Sequence, residues 1–309
     1  MKASLTIGTR GSALALWQAH FVRDVLKKKF PSLLIDLKII KTTGDKILDA
    51  PLSKIGDKGL FTKEIENALL DGRINVAVHS LKDVPTLIPD GLRIAAVAKR
   101  EDVRDVLISS KWKSLDELPE RATIATGSLR RKAQLLHHRP DLRIVDIRGN
   151  LQTRFARYEE SNWDGMMLAY AGVKRLGLEK HIAQIIPTEL ILPAVGQGAL
   201  GIEIRSDDDR TLRFMKILNH AATETCTRAE RSLLRTLEGG CQIPIGAHAV
   251  MKKGKLVLRA VVGSIDGSVL LDVDGASVPS RAEQLGMRLG EKLLRNGARE
   301  ILESIRRHG

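Results

Sequence analysis

The chain has 309 residues, 43% hydrophobic and 28% charged, with 50 basic side chains against 37 acidic ones and a formal net charge of +13. That composition belongs to a folded protein of two or three domains and excludes a disordered chain. The longest apolar runs, such as Ile94-Ala95-Ala96-Val97-Ala98, fall far short of the roughly 20 residues that span a bilayer, so no membrane partner is expected.

In chain order, the first two thirds alternate strand-like and helix-like segments. Leu5 to Gly8 reads as a strand, and Ser12 to about Lys29 has helical spacing at Leu14, Trp17, Phe21, Val25 and Leu26. Leu33 to Ile40 alternates as a strand, Phe61 to Leu70 is helical, and Ile74 to Val78 is a buried strand. Thr123 to Thr126, Arg143 to Ile147 and Gly165 to Ala169 read as strands, with helices starting near Ser128, Asn150 and Ala171. Such alternation predicts an α/β architecture with largely parallel sheets. Past a boundary near Asn219 to Thr225 the character changes. Lys255 to Val262 and Ser268 to Val273 read as strands around the turn Ile265-Asp266-Gly267, followed by one long helix from about Ser280 to Arg307. That is an α+β module.

The positive charge predicts an anionic partner. Nucleic acid is the default expectation, yet no basic run is longer than Lys27-Lys28-Lys29 and aromatics are only 3%, which leaves little for base stacking. A small polycarboxylate gripped by converging arginines and lysines uses the same charge without nucleic acid. Two cysteines cannot build a disulfide framework and fit a reducing compartment. Met1-Lys2 leads almost directly into a strand with no apolar signal region, which predicts a cytoplasmic protein, or a stromal one if a plastid presequence has been trimmed.

Both α/β portions open alike: a strand runs into Thr9-Arg10-Gly11-Ser12, and later into Thr126-Gly127-Ser128-Leu129-Arg130-Arg131, each followed by a helix. A serine N-cap, free backbone N–H groups and a nearby arginine make an anion site, though each alone also reads as an ordinary capped helix. Gly196-Gln197-Gly198-Ala199-Leu200-Gly201 satisfies G-x-G-x-x-G, but Leu200 to Ile204 continues as a strand where dinucleotide binding needs a helix. These glycines read as a turn or an interdomain crossover. His79-Ser80-Leu81-Lys82-Asp83-Val84-Pro85 follows a buried strand, where functional groups of parallel sheets collect, and is otherwise a polar loop closed by proline. Lys54 and Lys58 sit in a glycine-bearing loop before a helix, an anion site or a surface loop. Cys241 reads either as a small buried hydrophobe, as lone cysteines usually do, or, on the turn set by Gly239-Gly240 and Pro244, as a candidate for an accessible nucleophile; Cys226, in a helical run, reads as structural. No histidine has metal-ligand spacing, and no metal is expected.

Taken together, these segments resemble the porphobilinogen deaminase (hydroxymethylbilane synthase) family. The matching stretches are Thr9 to Ala19, Lys58 to Phe61, Val78 to Pro85, Gly127 to Arg131, Ile147 to Asn150, Leu192 to Gly198 and Glu238 to Gly246, in family order over nearly the whole chain. The resemblance implies two periplasmic-binding-protein-like α/β lobes, 1–98 with 199–218 and 99–198, and a smaller C-terminal α+β domain, 219–309. It implies a monomer whose substrate is porphobilinogen. Four molecules are joined head to tail with loss of ammonia, and a linear tetrapyrrole is then released. They grow on a dipyrromethane cofactor held through a thioether to Cys241. Asp83 takes the catalytic role, with Lys82 and Arg10. Lys82, Asp83, Ser128, Arg130, Arg131 and Arg148 bind the cofactor. Arg10, Ser12, Arg148, Arg154, Arg175 and Gln197 bind substrate, helped by Lys54 and Lys58, the latter on a flap, and Phe61 packs near the pyrrole rings. Gly127 stands where many relatives have serine.

Overall fold

The computed structural model describes residues 3–46, 59–237 and 243–308. Lys54, Lys58 and Cys241 therefore lie outside the described residues. Three sheets organise the chain. The first is entered through β1 (Ser4–Thr9), α1 (Ala13–Lys29), β2 (Leu34–Ile39), a short α2 (Thr43–Lys46), α3 (Lys63–Leu70), β3 (Val76–Ser80) and β4 (Leu92–Val97). The chain then crosses to β5 (Asp105–Ile108), β6 (Thr123–Ala125), α4 (Leu129–His138), β7 (Arg143–Val145), α5 (Leu151–Glu159), β8 (Gly165–Ala169), α6 (Tyr170–Arg175) and β9 (Ile182–Ile185). It returns through β10 (Leu200–Arg205) and α7 (Asp209–Met215).

The two five-stranded sheets repeat one plan, β2-β1-β3-β10-β4 and β7-β6-β8-β5-β9. Four strands of each run in one direction, and the remaining one is antiparallel to both its neighbours. The antiparallel strand is in each case the one arriving from the other lobe, β10 in the first and β5 in the second. The sheets are therefore more mixed than the strand–helix alternation predicts, and the exception is made by the two crossovers. Four strands, β4, β5, β9 and β11 (Ile245–Lys252), are missing from the sequence reading; β5 is four residues long and wholly buried, so it shows no alternation.

Helix α1 illustrates how the lobes are covered. Ser12 is extended at the N-cap and accepts a hydrogen bond from the Ala15 N–H, while Lys27, Lys28 and Lys29 complement the dipole at the other end. Ala19, Val22 and Leu26 are buried against Leu5, Ile7, Val76 and Val78 of the sheet. Trp17 and Phe21, on the apolar spacing read from sequence, stay exposed instead.

In the last part, α8 (Ala221–Thr236) and α9 (Ala282–Leu293) pack on an antiparallel sheet of β11, β12 (Lys255–Gly263) and β13 (Leu270–Ser277). Gly286 lets the two helices approach: a Cβ there would stand 2.3 Å from the Ala229 carbonyl oxygen. The single long C-terminal helix expected from sequence is broken after α9 at Leu294–Ala298, and α10 (Arg299–His308) follows. Gly297 sets the break with φ of +106°, a conformation side chains resist.

Two buried carboxylates tie the crossovers. Asp105, at the start of β5, accepts hydrogen bonds from Arg130, Arg131 and Gln197, each at 2.8 Å. Glu230 of α8 takes both Arg100 Nη atoms at 2.6 and 3.0 Å and the N–H groups of Gly196 and Ala249 at 2.8 Å each. One side chain thus joins both crossovers to the third sheet.

Candidate active site

Between the lobes lies a cavity of about 400 Å³. Its wall carries Arg10, Lys82, Arg131, Arg148, Arg154 and Arg175, six cations, against two carboxylates, Asp45 and Asp83. Ser12, Phe61 and Asn150 also line it. The N-terminus of α1 opens on the cavity at Ser12 and that of α5 at Asn150, whose side chain accepts from the Thr153 N–H at 2.9 Å. The N-terminus of α4 stands beside it, with Gly127 in the wall and Ser128 accepting from the Arg131 N–H. Three helix dipoles thus add to the cationic field; the sequence reading starts a helix near Asn150 but does not count its N-terminus among the anion sites.

β3 ends in a 3-10 turn, Leu81–Asp83, anchored by buried Leu81 and by its N–H bonding the Ala199 carbonyl at 3.0 Å. The turn presents Lys82 and Asp83 to the cavity. Asp83 makes no hydrogen bond to a described residue; its charge is offset through space by Lys82 and Arg154. Burial pushes the Lys82 ammonium down to about 8, with Asp83 opposing the shift. Burial likewise lowers Arg154 and Arg175, each to about 10, so both stay charged at neutral pH. Arg154 Nε is held by the Gly149 carbonyl at 2.9 Å and Arg175 Nη2 by the Gly198 carbonyl at 2.7 Å.

Arg10 is committed more than the sequence indicates. It pairs with Asp45, and its guanidinium lies 4.3 Å from the centroid of the Phe61 ring. Burial opposes the charge on Asp45, but hydrogen bonds from Arg10 and Thr42 outweigh it and hold the carboxyl below its usual range. Phe61 therefore serves as the platform under Arg10. Gly44 makes that placement possible, since a Cβ there would fall 2.2 Å from the Phe61 ring.

Two expected ligand-binding residues stand behind the wall. Arg130 is 4% exposed and bonds Asp105 and the Leu192 carbonyl, and Gln197 is 0% exposed and bonds Asp105 and the Val103 carbonyl. Neither lines the cavity; both position Asp105, and through it Arg131. Arg131 does line it, donating Nη1 to the Met167 carbonyl and Nη2 to Asp105, while its buried Nε has no hydrogen-bond partner.

The first matching family profile is described as porphobilinogen deaminase, dipyromethane cofactor binding domain, over residues 5–213; the second is the porphobilinogen deaminase C-terminal domain over residues 224–295. The porphobilinogen deaminase of Chloroherpeton thalassium is 58% identical over 99% of both chains, and that of Chlorobium phaeobacteroides strain BS1 56% identical over the same share. The chain belongs to the porphobilinogen deaminase family. Among solved structures, the methionine binding protein MetQ overlaps 69% of this chain and 89% of its own at 16% identity, with a TM-score of 0.45.

The cavity suits the family's cofactor. Two linked pyrroles, each with an acetate and a propionate, bring about four carboxylates, and this wall answers with six cations and an unpartnered donor on Arg131. The second cysteine, Cys226, does not suit attachment. It is 6% exposed within the third core, and burial pushes its thiol up to about 11. Arg231 of α8, ten residues before Cys241 in sequence, donates to the carbonyls of Val84 and Pro85 at 3.0 and 2.6 Å, and Arg235 to that of Thr86 at 3.2 Å. The last turns of α8 thus run along the chain directly after Asp83. Among the described residues, no group of His, Cys, Asp or Glu could hold a metal, and no helix is long and apolar enough to cross a membrane.

Proposed function

We propose that the chain is a hydroxymethylbilane synthase, a transferase of tetrapyrrole biosynthesis that condenses four porphobilinogen molecules with loss of ammonia and releases the linear tetrapyrrole. The observation that carries the reading is the Asp83 carboxylate in a wall of six cations whose other carboxylate, Asp45, is taken up by Arg10. Each porphobilinogen brings two carboxylates and a pyrrole N–H, so the cations bind its side chains and leave the ring nitrogen to Asp83. Loss of ammonia from the aminomethyl group makes a cationic, electron-poor methylenepyrrolenine. A fixed carboxylate beside the ring nitrogen stabilises that charge in a site where competing water is displaced. It also takes the proton lost when the new ring regains aromaticity.

The dipyrromethane, attached through Cys241, supplies an electron-rich terminal pyrrole carbon as the acceptor. The protein's own groups do the rest. Arg10, Lys82, Arg131, Arg148, Arg154 and Arg175 orient carboxylates around Asp83, and the N-termini of α1, α4 and α5 add dipole. Lys54 and Lys58 assist from the segment before α3, with Ser12 and Ser128 as helix caps. The domain bounds 1–98 with 199–218, 99–198 and 219–309 follow the three sheets. The reading includes a cytoplasmic monomer without a nucleic-acid partner, in keeping with the lack of long basic runs and the 3% aromatic content.

Incubation with porphobilinogen tests it. A linear product of four pyrrole units with four ammonia released per product is expected, and binding of porphobilinogen without ammonia release contradicts it.

A further inference from the structure

The cleft wall continues outward along α1. Leu14 lines the cavity, and Trp17 and Phe21 follow it at helical steps of three and four residues, on one strip of the helix. Their rings are stacked, with centroids 5.6 Å apart and 5° between planes, yet Trp17 is 37% and Phe21 38% exposed. Other large aromatic rings are spent on packing: Trp112, Phe155, Tyr158 and Trp163 in the second lobe, and Phe30 edge-on to Phe214 in the first. Phe61 lies in the cavity wall under Arg10 and Tyr170 packs on the second lobe's core, so among the described residues this is the stacked and exposed aromatic pair beside the cleft.

The strip also lies on the seam between the lobes. Arg175, a cavity residue on α6 of the opposite lobe, holds its guanidinium 5.4 Å from the Trp17 ring centroid. Gly172 of the same helix faces Leu14, since a Cβ there would be 3.7 Å from Leu14 Cδ2. One lobe therefore supplies two aromatic faces and the other a cation, at the inner end where strip meets cavity.

Size shows what the strip is for, given the function proposed above, on which this inference rests. A volume of about 400 Å³ is near the low end of the roughly 300–1,000 Å³ that takes one drug-sized molecule. Before release the enzyme carries six linked rings with about twelve carboxylates, several times that content. Rings must leave the cavity while still covalently attached. A pyrrole ring is flat and electron-rich and stacks on aromatic faces as nucleic-acid bases do.

We propose that Trp17 and Phe21, with Arg175 at their inner end, form an overflow platform for the growing oligopyrrole. Rings displaced from the cavity stack along α1, and Arg175 takes a carboxylate as each passes. The platform has no part in the first condensations, when the chain still fits inside.

The test gives holoenzyme one to four equivalents of porphobilinogen and reads covalent intermediates by intact mass, in wild type, Trp17→Ala/Phe21→Ala and Trp17→Phe. The double variant should carry the attached pyrroles and the first two additions as wild type does. Its species with three and four added rings should fall about tenfold, and Trp17→Phe should restore them. In a Trp112→Phe/Trp163→Phe background, Trp17 emission should be quenched at the later additions. A wild-type distribution through the fourth ring, a loss spread evenly over all additions, or quenching at the first addition overturns the platform. A change in sedimentation of the double variant overturns it in favour of contact with a second copy. Wild-type protein that never carries a covalent pyrrole sinks the functional reading itself, and is told apart by its unmodified mass.

Discussion

Replacing Asp105 by asparagine tests the physical core of the site. The carboxylate is 0% exposed, and its partners Arg130 and Arg131 are 4% and 5% exposed. Burial alone would raise its pKa, but the two guanidiniums outweigh burial and hold the carboxyl well below the usual range. Removing one partner of such a buried pair costs about 3–5 kcal/mol, because the opposite charge stays behind. Asparagine keeps one acceptor, so a loss of about 3 kcal/mol is expected, a large part of the roughly 5–15 kcal/mol that holds a domain folded. Urea unfolding measures it, with the alkaline arm of a pH series as reference. Asp105 has a depressed native pKa, so its contribution is fully present above the unfolded value of about 4 and drains as pH falls toward the native one. The variant should lose part of that acid sensitivity. A change below about 1 kcal/mol, or an acid limb identical to wild type, refutes the ion-pair argument.

The remaining predictions follow from single contacts. Asp83→Asn should keep the circular dichroism of the wild type and lose about 10²–10³ in kcat; near-normal turnover removes Asp83 from its role. Binding of substrate carboxylates should weaken as pH rises through about 8, where Lys82 loses its proton, and Lys82→Arg should abolish that limb of the KM profile. The same shift has the opposite sign for folding. Lys82 binds its proton less tightly in the native state, so stability rises between about 8 and 10.5. Gly127→Ala should cost about 1–3 kcal/mol in thermal unfolding, because its Cβ would fall 2.7 Å from Asp146 Oδ1 and 2.8 Å from the Ile147 carbonyl oxygen. An unchanged Tm contradicts that close approach.

The α/β class and the part of the cleft wall around Arg10, Ser12, Lys82, Asp83 and Arg131 were legible from local signals, whereas Arg148, Arg154 and Arg175 came only from the family resemblance. Strands that run into a capped helix placed Ser12 and Ser128, and the turn after β3 placed Lys82 and Asp83. What stayed illegible depends on contacts distant in sequence. Nothing near Asp105 says that Arg130 and Gln197, 25 and 92 residues away, will converge on it rather than on a ligand. The same holds for Arg10 and Asp45, and for Glu230, whose partners lie 130 and 34 residues off. A buried structural arginine and a ligand-binding arginine have the same letter, and although Arg130 and Arg131 are equally buried only Arg131 reaches the cavity wall. Trp17 and Phe21 fail in the other direction: helical spacing reads them as core, while the sheet is already covered by Ala19, Val22 and Leu26.

The central claim is that Cys241 anchors a dipyrromethane from which chemistry at Asp83 proceeds. Intact-mass measurement of protein made in cells that supply porphobilinogen tests it most directly. The wild type and Cys226→Ser should both be heavier than their sequences by two linked pyrrole units, and Cys241→Ser should match its sequence mass. An unmodified wild type, or an increment that disappears with Cys226 and survives the loss of Cys241, contradicts the account.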